Sequence, residues 1–230
     1  MTVGILAIHG FTGGPYEVEP LVQYLHETTD YVIESITLSG HGEDLQLKGY
    51  THTHWFMEAE LAFRTLQRQV DRIVVIGFSM GGLIAMYLAK RYPVDKLVLL
   101  SAAAKYVSPI QLTRDLQILV NDTMRGVVKE NSMYQNYRRK FRKVPLQAVI
   151  EFLKCTRKVS RYIAHLTLPV FIVQGQRDEV VPYVSAQYLY NKISSAEKYM
   201  YMSQTGKHLI CYSDDCADWF EKVRQFIIVK

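Results

Sequence analysis

The apolar run Ile73-Val74-Val75-Ile76 ends in Gly77-Phe78-Ser79-Met80-Gly81-Gly82 and passes without a spacer into a stretch with helical spacing that reaches Arg91. Four consecutive apolar residues suit a strand covered on both faces. A chain that crosses from such a strand to a helix through Gly-x-Ser-x-Gly must turn sharply, and glycines on either side let backbone pass close to backbone. Ser79 then projects from the turn at the end of a sheet. A serine in an ordinary loop is the bland alternative, and the strand before it and the helix after it argue against that reading.

The same rhythm repeats around this turn. Short apolar runs at 3–8, 31–36, 72–76 and 96–100 alternate with longer amphipathic stretches near 15–28, 52–69 and 81–91. That order predicts an α/β domain with a mostly parallel sheet. The strand signal resumes at 170–173 after Leu168-Pro169, is weaker at 198–201, and is followed by a closing helix over 215–228.

Between about 105 and 165 the pattern changes to polar and basic stretches with helical spacing, carried by Leu112, Leu116, Leu119 and Val120, then by 144–152 and 159–163. Pro109 and Pro145 fit helix starts or breaks. Residues 105–161 hold 13 Lys and Arg against 4 Asp and Glu, so the local balance is +9 while the whole chain carries +5. We read the chain as one domain, 1–230, with 105–165 as a helical insertion between strands of one sheet. The excess charge reads first as a solvated helix face, with weak attraction to an anionic surface as the one membrane contact it would allow. Tyr134, Tyr137 and the basic residues from Arg138 to Lys143 form no nucleic-acid reading module, and no nucleic-acid partner is expected.

Length and composition exclude other classes. At 230 residues and 49% hydrophobic, the chain can fill a large core. No apolar run approaches eighteen residues and the start lacks the features of a secretory leader, so no stable membrane insertion and a soluble, cytoplasmic protein are expected. Cys155, Cys211 and Cys216 form no Cys-x-x-Cys unit, which argues against a redox or zinc role.

A serine hydroxyl is a poor nucleophile near neutral pH unless a base takes its proton and a third group orients that base. The loops after the last two strand signals supply both residue types, Asp178 within Gly175-Gln176-Arg177-Asp178 and His208 within Thr205-Gly206-Lys207-His208. In a parallel sheet the loops leaving the carboxyl ends gather on one edge, so Ser79, Asp178 and His208 can converge. Backbone donors for a developing oxyanion are expected at Met80, which follows the serine, and at Phe11, in the Gly-rich loop after the first strand. The ring of Phe11 is a further candidate for lining an acyl pocket.

Five ordered motifs carry a resemblance: His9-Gly10-Phe11-Thr12-Gly13, Ser39-Gly40-His41-Gly42, Gly77 to Gly82, Gly175 with Asp178-Glu179-Val180-Val181-Pro182, and His208-Leu209-Ile210. Together they resemble the α/β-hydrolase family, most closely small bacterial carboxylesterases related to monoacylglycerol lipases. The resemblance implies an α/β-hydrolase fold with a reduced sheet of about six strands flanked by helices, the two leading strands of many members being absent or vestigial, and a small helical cap at 105–165. It implies Ser79 as nucleophile, His208 as general base and acid, Asp178 as its orienting partner, and Phe11 and Met80 as oxyanion donors.

The activity so implied is hydrolysis of carboxylic esters, with a small-molecule ester as the substrate and no cofactor or metal, and a cap rich in Tyr, Leu and Val favours short- to medium-chain acyl groups. Monoacylglycerol lipase or acyl thioesterase activity is the alternative among enzymes, and a catalytically silent ligand-binding protein of the same fold is the alternative outside them. His9 is expected to orient the oxyanion loop through a ring hydrogen bond, and His41 to stabilise the Gly40 to Gly42 loop. Glu179 competes with Asp178 by adjacency, and His52-Thr53-His54 lacks a convincing ligand set. Oligomeric state is left open.

Overall fold

The computed structural model describes residues 1–105 and 144–229, so most of the basic insertion lies outside the described residues. Six strands, β1 (Val3–Ile8), β2 (Val32–Ile36), β3 (Arg72–Phe78), β4 (Lys96–Leu100), β5 (Val170–Gly175) and β6 (Lys198–Ser203), form one sheet in the order β2-β1-β3-β4-β5-β6. All five pairings are parallel. The expected sheet of about six strands is therefore present, and β3 and β5 each run two residues past their apolar runs, to the edge where their loops begin.

Alternation along the strands explains why the apolar runs are unbroken. Leu6, Ile8, Ile73, Val75, Leu97, Leu99, Val170 and Ile172 point into one apolar cluster, while Ile5, Ala7, Val74, Ile76, Val98, Leu100, Phe171 and Val173 point into the other. Both faces are covered, so no position on a central strand has a solvent side to fill with polar residues. Helices α1 (Glu19–Thr28) and α6 (Cys216–Ile228) cover the second face. Helices α2 (His52–Gln67), α3 (Met80–Arg91), α4 (Leu146–Ser160) and α5 (Val184–Lys192) cover the first.

Helix α2 shows how local sequence sets an element. Trp55, Phe56, Ala59, Ala62, Phe63 and Leu66 recur at helical spacing and are all buried. Thr51 and His54 close a capping box at its start, which satisfies donors that the first turn leaves open. Helix α5 is not anticipated by the sequence pattern. Of its nine residues only Ser185, Ala186 and Leu189 are buried, too few apolar positions to mark a stripe.

The described end of the 105–165 stretch belongs to the layer on the sheet. In α4, Ala148, Val149, Phe152, Cys155 and Val159 join the first core cluster. Glu151 accepts hydrogen bonds from His52 at the start of α2, at 2.6 Å from its Nδ1 and 3.2 Å from its backbone N–H. Lys158 lies over the stacked rings of Phe56 and Tyr87, tying α4 to α2 and α3.

The chain leaves β1 toward β2 on one side and reaches β3 on the other, so β1 and β3 flank a topological switch point. In open parallel sheets the crevice beyond such a point is where ligands bind. The loop from His9 and the turn at Ser79 both open there.

Candidate active site

Ser79 sits between β3 and α3 with φ 51° and ψ −111°, a conformation that L residues seldom adopt. Such a residue costs about 1–3 kcal/mol and persists only where its surroundings hold it. Its N–H donates to Leu100 O at 2.9 Å, and its carbonyl accepts from Gly82 and Ala103. The turn also needs a helix that starts against the sheet. A Cβ on Gly81 would collide with the carbonyls of Ile8 and His9, so only glycine lets α3 start this close to β1.

Asp178 follows β5 and His208 follows β6, and the two loops are tied across. Gln176 N–H donates to Ser203 O, Arg177 N–H to Gly206 O, and Gly206 N–H to Ser203 Oγ. A side chain on Gly175 would strike Gly206 O, so close approach is again reserved for glycine. Asp215 holds the second loop from behind by accepting from Ser203 Oγ at 2.7 Å.

These loops bring the three expected side chains together. His208 Nε2 lies 3.1 Å from Ser79 Oγ, and His208 Nδ1 lies 2.9 Å from Asp178 Oδ2. A carboxylate only accepts, so Nδ1 carries the proton and Nε2 faces the serine as an acceptor. Asp178 Oδ1 accepts from Val180 and Val181 N–H at 2.9 and 2.8 Å, and its Oδ2 also accepts from Gln174 Nε2 at 2.9 Å. All three side chains are buried, and the Phe78 ring lies 5.0 Å from the His208 ring. Glu179, the adjacent acid, is exposed, and the hydrogen bond to His208 belongs to Asp178.

Phe11 and Met80 are buried, and among the described residues neither backbone N–H donates a hydrogen bond. Buried backbone groups are nearly always paired, so two donors without a partner are exceptions that call for an explanation. The Phe11 ring packs against Phe152, Trp55 and His41, with centroids 5.3, 6.0 and 5.9 Å away.

The loop behind Phe11 is held by buried polar groups. His9 Nδ1–H donates to Gly10 O at 2.7 Å, while its Nε2 accepts from Leu38 N–H at 3.0 Å, which fixes a neutral ring. Burial lowers the His9 pKa from 6.5 to about 4, against a smaller rise from the Gly10 carbonyl. Glu17 Oε2 accepts from Gly10 N–H at 2.7 Å. His41 Nδ1 faces Ser39 O, and burial followed by the nearby His9 lowers its pKa to about 3. Gly42 N–H donates to Gly13 O at 2.8 Å, joining the two loops.

Chemically, the arrangement places a hydroxyl against an imidazole acceptor, a carboxylate behind that imidazole, and open N–H donors nearby. A family model matches residues 3–215: Hydrolase_4, described as serine aminopeptidase, S33. The chain belongs to this family. It is an α/β-hydrolase. The thermostable monoacylglycerol lipase of Bacillus sp. (strain H-257) is 26% identical, covering 97% of this chain and 90% of that protein. A carboxylesterase of Bacillus subtilis (strain 168) is 22% identical over 90% of this chain and 84% of its own length. Among solved structures, one from a study of LipS and LipT, two metagenome-derived lipolytic enzymes, overlays with a TM-score of 0.78 at 21% identity, covering 98% of this chain and 93% of the other.

Two polar residues of this α/β-hydrolase site escape sequence reading. Glu17 gives no signal, since an acid after a turn ordinarily faces water. Gln174 leaves a faint one, being polar at the end of an otherwise apolar strand. His52 and His54 both serve α2: the first hydrogen-bonds to Glu151 and the second caps with Thr51.

Proposed function

We propose that this α/β-hydrolase is a serine carboxylesterase that hydrolyses short- to medium-chain carboxylic esters through an acyl-enzyme on Ser79. The reading rests on one observation, the unbroken chain of hydrogen bonds from Ser79 Oγ through the His208 ring to Asp178. An ester carbonyl lies near Ser79 with its oxygen toward Phe11 and Met80 N–H. His208 Nε2 takes the serine proton as Oγ attacks, and Asp178 keeps the ring in the useful tautomer and stabilises the imidazolium. Collapse of the tetrahedral intermediate breaks the bond to the alcohol, which leaves with the proton from His208. Water, deprotonated by the same nitrogen, then attacks the acyl-enzyme and restores Ser79 with release of the acid.

The similarity to a carboxylesterase and to a monoacylglycerol lipase supports an ester substrate. The latter favours a second reading, in which a monoacylglycerol is the preferred ester. The family's aminopeptidase description names an amide substrate for the same acyl transfer, so amides enter the assay as well. The 105–165 stretch, most of which lies outside the described residues, is proposed as the cap that sets which acyl chains enter.

Labelling with a fluorophosphonate probe, followed by turnover of p-nitrophenyl esters of increasing chain length, monoacylglycerols, acyl-CoA and aminoacyl anilides, tests the reading. Labelling at Ser79 with highest turnover on short and medium esters is expected. Absence of labelling would favour a silent binding protein, and a preference of orders of magnitude for acyl-CoA or anilides would replace the ester assignment.

A further inference from the structure

We propose that Gln174 is a positioning residue, holding the Asp178 carboxylate and setting how strongly it draws on His208. The role rests on the proposed function of the Ser79 site. Gln174 follows Val170 and Ile172 at alternate positions of β5, on the face where those residues, Val180 and Val181 form apolar core. Register therefore calls for an apolar side chain, yet an amide stands there fully buried. Buried amides are kept where their hydrogen bonds return something.

The return is at Asp178. Gln174 Nε2 donates to Asp178 Oδ2 at 2.9 Å and to Val181 O at 3.0 Å. Its Oε1 has no partner among the described residues. Turning the amide over would bring Oε1 against Asp178 Oδ2 and Val181 O, both acceptors, so the orientation follows from chemistry alone. The residue leaves its own carbonyl unpaired to give its N–H groups to the carboxylate and to the Val181 carbonyl in the loop that carries it.

Geometry closes the argument. Val181 donates its N–H to Asp178 Oδ1 and accepts Gln174 Nε2 at its carbonyl, so the three residues form a ring of hydrogen bonds around the carboxylate. Gln174 and His208 share the same oxygen, Oδ2. A donor on that oxygen stabilises the carboxylate's charge and weakens its pull on the imidazole; without it, Oδ2 is more basic and the carboxylate less firmly aimed. The flanking charged residues Arg177, Glu179 and Lys207 are exposed, so solvent screens their influence on the pair.

Gln174→Met and Gln174→Leu remove the donor and suit the apolar face. The first readout is the His208 ring titration by NMR, which needs no turnover. That titration is expected to move upward from the parent protein's in both variants. The second readout is ester kinetics, where kcat is expected to fall about tenfold, about 1.4 kcal/mol of barrier, with KM within about threefold and the acid limb of kcat/KM moved upward. A folded variant with an unmoved His208 titration overturns the proposal, whatever the turnover. A moved titration in a protein that hydrolyses no ester leaves the Gln174–Asp178 coupling standing and removes the esterase reading.

Discussion

Gly10 O accepts a 2.7 Å hydrogen bond from His9 Nδ1–H, and this bond aims the amide of the next residue. The peptide between Gly10 and Phe11 is planar, so its C=O and the Phe11 N–H point in opposite directions. Pinning the oxygen pins the donor. His9→Ala should therefore reduce kcat on esters by about tenfold, less than the hundredfold or more of losing an oxyanion donor outright, with little change in KM. Steady-state kinetics on a p-nitrophenyl ester check this, and a change confined to KM would contradict it.

Acid should loosen this loop before it affects the rest of the molecule. His9 is held neutral, its pKa lowered to about 4 by burial, against 6.5 for an exposed ring. Between those values the unfolded chain binds the proton and the folded one does not, so stability is complete above about pH 6.5 and is lost as pH falls toward 4. The gap is worth about 3 kcal/mol from His9 alone. His41, lowered to about 3, acts in the same direction over a wider span. Thermal melts from pH 7 to pH 4 should show a falling Tm, and His9→Asn should flatten the slope.

Gly81 tests how tightly the turn at Ser79 is built. A methyl there meets the Ile8 and His9 carbonyls, which are backbone and have no rotamer to yield. Overpacking of this kind costs about 1–3 kcal/mol or more. Gly81→Ala should lower the urea midpoint and impair fluorophosphonate labelling together, whereas Gly49→Ala, where φ is +89° but no atom lies within 4 Å, should lower stability and leave labelling intact.

The strands and the elbow were legible because their physics is local: unbroken apolar runs need two covered faces, and a turn this close has room only for glycine at positions 77, 81 and 82. Asp178 and His208 were legible because parallel strands send their loops to one edge, which turns sequence order into proximity. Helix α5 was not, because so few of its residues are buried. Helix α4 was read as part of the cap, since its basic outer face hides a core stripe of Val149, Phe152, Cys155 and Val159. Glu17 and Gln174 lay beyond reach for another reason. Their partners, Gly10 N–H and Asp178 Oδ2, become visible only once the loops are folded.

Glu151 fastens α4 to α2 and predicts a stability effect separable from that of His9. Its carboxylate is buried, which by itself raises the pKa, but hydrogen bonds from Lys154 and His52 outweigh burial and bring it to about 2, from an ordinary 4.5. A depressed acid contributes stability that is intact above about pH 4.5 and is lost as pH falls toward 2, below most of the His9 window. Lys154 is largely exposed and its pair contributes little. His52 is mostly covered, and it brings two donors to the same Glu151 oxygen. Glu151→Ala should cost about 1–3 kcal/mol in urea unfolding at pH 7, because it strands His52 Nδ1–H and the helix N–H. In a double-mutant cycle, His52→Ala should show clear coupling with Glu151→Ala, and Lys154→Ala should show almost none. The reverse ranking would mean that the exposed lysine, and not the α2 terminus, holds α4 in place.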